Sequence, residues 1–206
     1  MRAIALVCTL AAASALLLAG CETAPKTPQA SASLNTEVQS TVRVAKSTDP
    51  GLQSFFDKSA GYAVFPSVGS GAAVVGGAFG RGQVFQNGQF VGYASLTQGT
   101  VGLSLGGQSY SELIFFQTPE ILDRFKTGNL SFTAETSAVA LTAGASAKAN
   151  FQNGVAVFTM RSTGLMFSAA VGGQKFSFEP AGTATASATA TAPAPAASTQ
   201  PASAPR

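Results

Sequence analysis

The sequence predicts an α+β fold on three observations. Apolar residues recur at helical spacing near the start, alternation with a period of two sets in further along, and two strand-rich stretches are related by one fixed offset. The expected architecture is a set of N-terminal helices plus antiparallel, glycine-rich β-hairpins in two pseudo-repeated units, with one helix between them.

Each element has its own signal. From Leu34 to about Ser47, Leu34, Val38, Val42 and Ala45 form an apolar stripe, while Glu37, Arg43 and Lys46 lie off it. Asp49-Pro50 reads as an N-cap followed by proline at the first helical position. It opens a second helix carrying Leu52, Phe55 and Phe56, with Gly61 as its stop. After "GYAVFP" the period becomes two, and strands are expected over Gly71–Phe85, Gln89–Thr97 and Thr100–Leu105. Thr118-Pro119-Glu120 starts another helix, "PEILDRFKTG", ending at Gly128, and a second strand-rich stretch runs from Leu130 to Phe178.

The two strand regions share a pattern. "FQNG" stands at Phe85–Gly88 and again at Phe151–Gly154, and "GGQ" at Gly106–Gln108 and Gly172–Gln174, both offset by 66 residues. Aligned without gaps, Phe85–Ser111 and Phe151–Ser177 share ten identities in 27 positions, which favours duplicated β units over shared composition. Asn-Gly is the preferred pair of a type I′ turn, so each copy is expected to begin with the same turn.

The flanks read differently. Met1-Arg2 supplies one positive charge, and Ala3–Leu18 is apolar apart from Thr9 and Ser14, the pattern of a secretory signal over residues 1–20. Leu18-Ala19-Gly20-Cys21 then looks like a bacterial lipobox, which implies diacylglycerol on the Cys21 sulfur, cleavage before it and acylation of the new N-terminus. Three chains at about 0.8 kcal/mol per buried methylene make a durable anchor. Glu22 follows where an aspartate commonly retains lipoproteins in the inner membrane, so the expected address is the outer membrane, with the domain in the periplasm or at the cell surface. Residues 21–33 read as a flexible lipidated tether, 34–180 as the folded domain and 181–206 as a disordered Ala/Thr/Pro-rich tail.

Composition excludes several functions. The chain has no histidine, and Cys8 leaves with the signal, so imidazole and thiolate metal sites and histidine-based triads are unavailable; neither metal nor cofactor is expected. Charged residues are 10% of the chain and the net charge is +3, which is not the footprint of a nucleic-acid binder. Gly102-Leu103-Ser104-Leu105-Gly106 fits the nucleophile-elbow pattern but lacks the base and the strand-to-helix context that motif needs. The glycine runs lack a Gly-Lys-Ser/Thr ending, and close strand packing explains them better than phosphate binding. No catalytic constellation emerges, and the chain is not expected to be an enzyme.

Basic and aromatic residues near the helical segments are the remaining candidates. Arg43, Lys46, Phe55, Phe56, Lys58, Arg81, Arg124 and Lys126 could meet a membrane surface, where each cation contributes about 1 kcal/mol with anionic lipid. Rings of this kind are also common core residues, so only a shared face makes them a site.

Three strings, "KSAGYAVFPSVGSG" (Lys58–Gly71), "GYASLTQGTVGLSLGGQSYSELIFF" (Gly92–Phe116) and "FKTGNLSFTAETSAVA" (Phe125–Ala140), closely resemble the SYLF-domain family in its bacterial lipoprotein branch. The resemblance covers roughly Leu34–Pro180 and implies a lipid-binding domain. Eukaryotic relatives bind phosphoinositides through an amphipathic N-terminal segment, matched here by Leu34–Lys58, and some bundle actin. For an envelope protein, the actin activity is not expected to transfer. The implied ligand is an anionic phospholipid or lipopolysaccharide. The alternative is an envelope scaffold that contacts a protein or peptidoglycan, with lipid binding incidental.

Overall fold

In the computed structural model, the described residues are 23–72, 75–101, 106–130, 138–163 and 174–182. The expectations for the signal segment, Cys21, the Ser104 motif and nearly all of the tail lie outside them. Helix α1 (Pro28–Thr48) leads through a 3-10 turn (Pro50–Leu52) into α2 (Gln53–Lys58). Strands β1 (Gly61–Ala72), β2 (Val75–Gln86), β3 (Gln89–Val101) and β4 (Gly106–Phe116) follow. Then come α3 (Pro119–Lys126), a short β5 (Val139–Ala140), a 3-10 turn (Ser146–Lys148), β6 (Val155–Thr163) and β7 (Gln174–Pro180). The class is α+β, as expected.

All strands join one sheet in the order β5-β6-β4-β1-β2-β3-β7, antiparallel except for the parallel β5–β6 pair. The Asn-Gly turns form as the sequence predicts. Asn87 and Asn153 both have φ of 50°, followed by Gly88 at 76° and Gly154 at 81°, the positive values a type I′ turn requires. Their consequences differ. The first turn closes the long β2–β3 hairpin, while the second closes only an isolated Gln152–Val155 bridge ahead of β6. The duplicated units do not form side-by-side hairpins either. β1 and β2 stand between β3 and β4, and β6 and β7 lie on opposite flanks of the sheet.

The strand expected over Gly71–Phe85 is β2 (Val75–Gln86), and a strand not expected from the sequence, β1 (Gly61–Ala72), precedes it. The Gly61–Val68 stretch conceals its period because Ala63 and Phe65 face one core while Val64 faces another, so the run is continuously apolar. A register shift between Val64 and Ser67 adds a bulge around Pro66, where proline is tolerated in a sheet.

The sheet curls strongly. Gln174 Nε2 on β7 donates to Glu112 Oε2 on β4 at 3.2 Å, although three strands separate them in sheet order. With neighbouring strands about 4.8 Å apart, a flat sheet would hold β4 and β7 roughly 19 Å apart. The concave face therefore encloses its own core of Phe65, Leu96, Ile114, Phe116 and Phe176, closed at one end by Leu122 and Phe125 of α3. Glycines make room for its rings. A Cβ on Gly82 would meet Val64 O and lie 2.8 Å from Phe65 Cδ1; one on Gly92 would meet Glu179 O and lie 2.7 Å from Phe178 Cε2. The convex face carries the second core, where Leu34 and Val38 of α1, Leu52 and Phe55 pack on Val64, Leu113, Phe115 and Phe158.

The segment read as a free tether is docked. Thr23, Ala24 and Pro25 are buried. Thr23 Oγ1 bonds Ser95 Oγ of β3 at 3.1 Å, and Ala24 N donates to Glu179 Oε2 of β7 at 3.1 Å. Helix α1 starts at Pro28, six residues before the expected Leu34, and the Thr27 hydroxyl accepts from Ala30 N at 3.2 Å. Thr27-Pro28 carries the same cap-and-proline signal as Asp49-Pro50 and Thr118-Pro119. It is obscured in sequence by a first turn that is polar and largely exposed.

Candidate functional site

The candidate residues divide between core and surface. Phe55 and Phe125 belong to the two cores: Phe55 packs edge-on to Phe158 at 5.0 Å, and Phe125 lies 4.8 Å from Phe116 and 5.1 Å from Phe176. Burial removes the candidate Phe55 from any contact surface, and Phe125, between the candidates Arg124 and Lys126, is a core residue. Arg124 is exposed on α3, while Lys126 donates to Gln86 Oε1 at 2.8 Å and pairs with Asp123 at 3.4 Å, an i,i+3 contact on the same helix. Arg81 is exposed on β2, with its guanidinium 5.5 Å from the Phe79 ring.

Phe56 is the candidate ring that stays at the surface. Because it neighbours core Phe55 on a short helix, its side chain falls at the rim of the convex core, half-buried. Lys46, one stripe over on α1, extends its ammonium 4.3 Å above the Phe56 centroid. Such a pairing contributes about 0.5–2 kcal/mol, more as water is excluded.

From Phe56 a run of aromatic rings crosses the convex face toward the Asn87–Gly88 turn. Phe56 meets Tyr62 edge-on at 4.9 Å, Tyr62 stacks on Phe85 at 4.9 Å, Phe85 meets Phe90 at 6.1 Å and Phe90 meets Tyr93 at 5.1 Å. Register explains the line: Tyr62 pairs with Phe85 across β1–β2, Phe85 pairs with Phe90 across β2–β3, and Tyr93 follows Phe90 on β3. Phe90 is 39% exposed, and Val44 on α1 is 52% exposed. Partial burial raises the pKa of the Tyr62 hydroxyl, so Tyr62 is neutral at ordinary pH. Lys58, at the end of α2, is exposed and precedes β1 by three residues. It therefore stands at the same end of the sheet as Lys126, which is bonded to Gln86.

Sequence reasoning named Arg43, Lys46, Phe56 and Lys58, which sit on α1 and α2 beside the strip. It missed Tyr62, Phe85, Phe90 and Tyr93. Only cross-strand register reveals that these four rings line up, and the one local signal was the "FQNGQF" hairpin, which brings Phe85 and Phe90 opposite each other.

A second cluster lies inside the concave core. Glu112 is 1% exposed; Oε2 accepts from Gln174 and Oε1 has no hydrogen-bond partner. Burial pushes the carboxyl up to about 7, partly countered by the Gln174 bond. Tyr110, two residues earlier on the same face, is shifted upward by burial and by the nearby Glu112 charge. A small pocket lined by Val139, Lys148, Asn150, Gln152 and Val155 at the β5–β6 edge includes none of the candidate residues. Among the described residues, no helix is long and apolar enough to cross a membrane.

The fold and this surface define an α+β domain whose recognisable feature is a basic-capped aromatic face. Residues 97–186 match the family model described as Ysc84, "Las17-binding protein actin regulator", the SYLF type. It is also 27% identical over 161 residues to Beta cell expansion factor A of Aeromonas veronii, a match covering 74% of this chain and 59% of that protein. The matched region thus spans about three fifths of the length of this curated relative.

Proposed function

We propose that the protein is a membrane-anchored envelope lipoprotein whose SYLF-type domain binds anionic lipid head groups. One observation carries the reading: Lys46 sits over Phe56 at the head of a strip of rings that ends in exposed Phe90. Rings at this depth can enter the interfacial region while neighbouring cations meet phosphate, the combination that gives peripheral proteins their salt-sensitive attachment. The family match over residues 97–186 supports lipid as the ligand, Leu-Ala-Gly-Cys21 supports the acyl anchor, and Glu22 after it supports the outer-membrane address. The chain acts by binding, without metal or cofactor, and the actin partner in the family description is not its own.

The test uses the mature chain with Cys21→Ser, sedimented with phosphatidylglycerol-rich and with pure phosphatidylcholine vesicles at low and raised salt. Binding to the anionic vesicles that salt weakens is expected. At about 1 kcal/mol per lysine, Lys58→Ala weakens it about fivefold. No sedimentation with any vesicle refutes intrinsic lipid binding and leaves the acyl chains to hold the protein at the membrane.

A further inference from the structure

The docking of Thr23 has a geometric consequence for the anchor. Cys21 lies two residues before Thr23, and two extended residues reach at most about 7 Å. Thr23 itself is bonded to Ser95 on β3, and Ala24 to Glu179 on β7. An acyl anchor on a free 13-residue tether would let any face of the domain turn toward the bilayer. An anchor leaving a docked strap has no such freedom.

The flank it leaves from suits a bilayer. Helix α1 covers the convex face over β1 and part of β2. Toward β3 and β7 that face is open: Thr97, Lys175 and Ser177 are exposed around the strap. Arg81, paired in register with Ser95, lies over the Phe79 ring on one side, and Phe90 stands beside Tyr93 on the other. Among the described residues, the charged ones of this flank are Lys26, Arg81 and Lys175 against Glu179, whose carboxylate accepts from the strap. The excess is positive, opposite in sign to an anionic leaflet.

We propose that the membrane-facing surface is this β2–β3–β7 flank of the convex face, and that the Thr23–Pro25 strap orients the domain by holding the anchor at its centre. The proposal rests on acylation of Cys21 and on the lipid-binding reading above. It specifies which end of the aromatic strip lies deepest in the bilayer: Phe90 and Tyr93, with Lys46 and Phe56 farther out along the same convex face.

The experiment uses the full chain, produced in a bacterium that processes lipoproteins and reconstituted into phosphatidylglycerol/phosphatidylcholine vesicles containing a quencher lipid. Single cysteines at exposed positions, Thr97→Cys, Ser177→Cys, Ser40→Cys and Lys148→Cys, are labelled with an environment-sensitive fluorophore, and intact mass reports acylation independently. Labels at 97 and 177 are expected to be quenched at least threefold more than those at 40 and 148. A 12-residue Gly/Ser spacer between Glu22 and Thr23 should shrink the difference at least twofold while the protein stays membrane-bound. Acylated protein with equal quenching at all four positions, or stronger quenching at 40 and 148, overturns the proposed orientation but leaves the lipoprotein reading intact. A bias undiminished by the spacer overturns the strap as its cause. Absence of the acyl mass overturns the anchor and this proposal together, whereas vesicle binding by the Cys21→Ser chain tests the lipid-binding reading separately.

Discussion

Glu112 is the residue whose chemistry departs furthest from its surroundings. Its carboxyl is enclosed by the concave core, with Gln174 its hydrogen-bond partner and one oxygen unpaired. Its folded pKa of about 7 lies above the ordinary 4.5, so between these values the folded state holds a proton that the unfolded state has released. Stability therefore falls as pH rises from about 4.5 to about 7, and levels off above. Glu112→Gln removes the ionisation. At pH 8 the variant should exceed the parent by at most about 3 kcal/mol, with the gap closing near pH 4. Urea midpoints across that range measure it, and a gap independent of pH would refute the titration. Asp49 behaves oppositely. The Ser146 N–H, 2.7 Å from Oδ2, holds its carboxyl below the usual range, and its contribution is lost only as pH falls through that lowered value.

At the scale of elements, the duplicated Asn-Gly turns make a controlled pair. Gly88 and Gly154 share positive φ, but a Cβ on Gly88 meets open space, whereas one on Gly154 would lie 2.8 Å from Ile121 Cγ1 on α3. Gly88→Ala should therefore cost about 1–2 kcal/mol, the left-handed backbone penalty alone. Gly154→Ala adds overpacking of about 1–3 kcal/mol and should be distinctly worse. Thermal unfolding of the two variants compares them directly, and equal losses would mean that α3 yields at no cost. The same pair shows how far a repeat in sequence carries. Four identical residues specify a turn, because turn geometry is local, but not the length of strand the turn joins.

Over the whole molecule, the strap and the curl of the sheet decide what is exposed. Without the Thr23–Ser95 and Ala24–Glu179 bonds, the first residues should detach while the sheet persists. Two hydrogen bonds at about 1 kcal/mol each predict roughly tenfold or greater acceleration of tryptic cleavage after Lys26 in the Thr23→Ala, Glu179→Ala double variant. Mass spectrometry of a timed digest reads this, and an unchanged rate would show that burial of Ala24 and Pro25 alone holds the strap. Curvature has a comparable reach. It brings Gln174 to Glu112 across three intervening strands and sinks Phe125 beneath Phe176.

By itself the sequence determined the α+β class, the Asp49-Pro50 and Thr118-Pro119 helix starts, both Asn-Gly turns and the family resemblance. Each of these follows from residues within a few positions of one another, through caps, fixed proline φ, positive-φ turn geometry and the spacing of apolar side chains. Only the tertiary structure decided that residues 23–33 are docked and partly helical, that Phe55 and Phe125 are core, and that Phe56, Tyr62, Phe85, Phe90 and Tyr93 form one strip. Those outcomes depend on strand register and sheet curvature, which bring together residues as far apart as Thr23 and Ser95. Such contacts depend on long-range packing and leave no periodic trace along the chain.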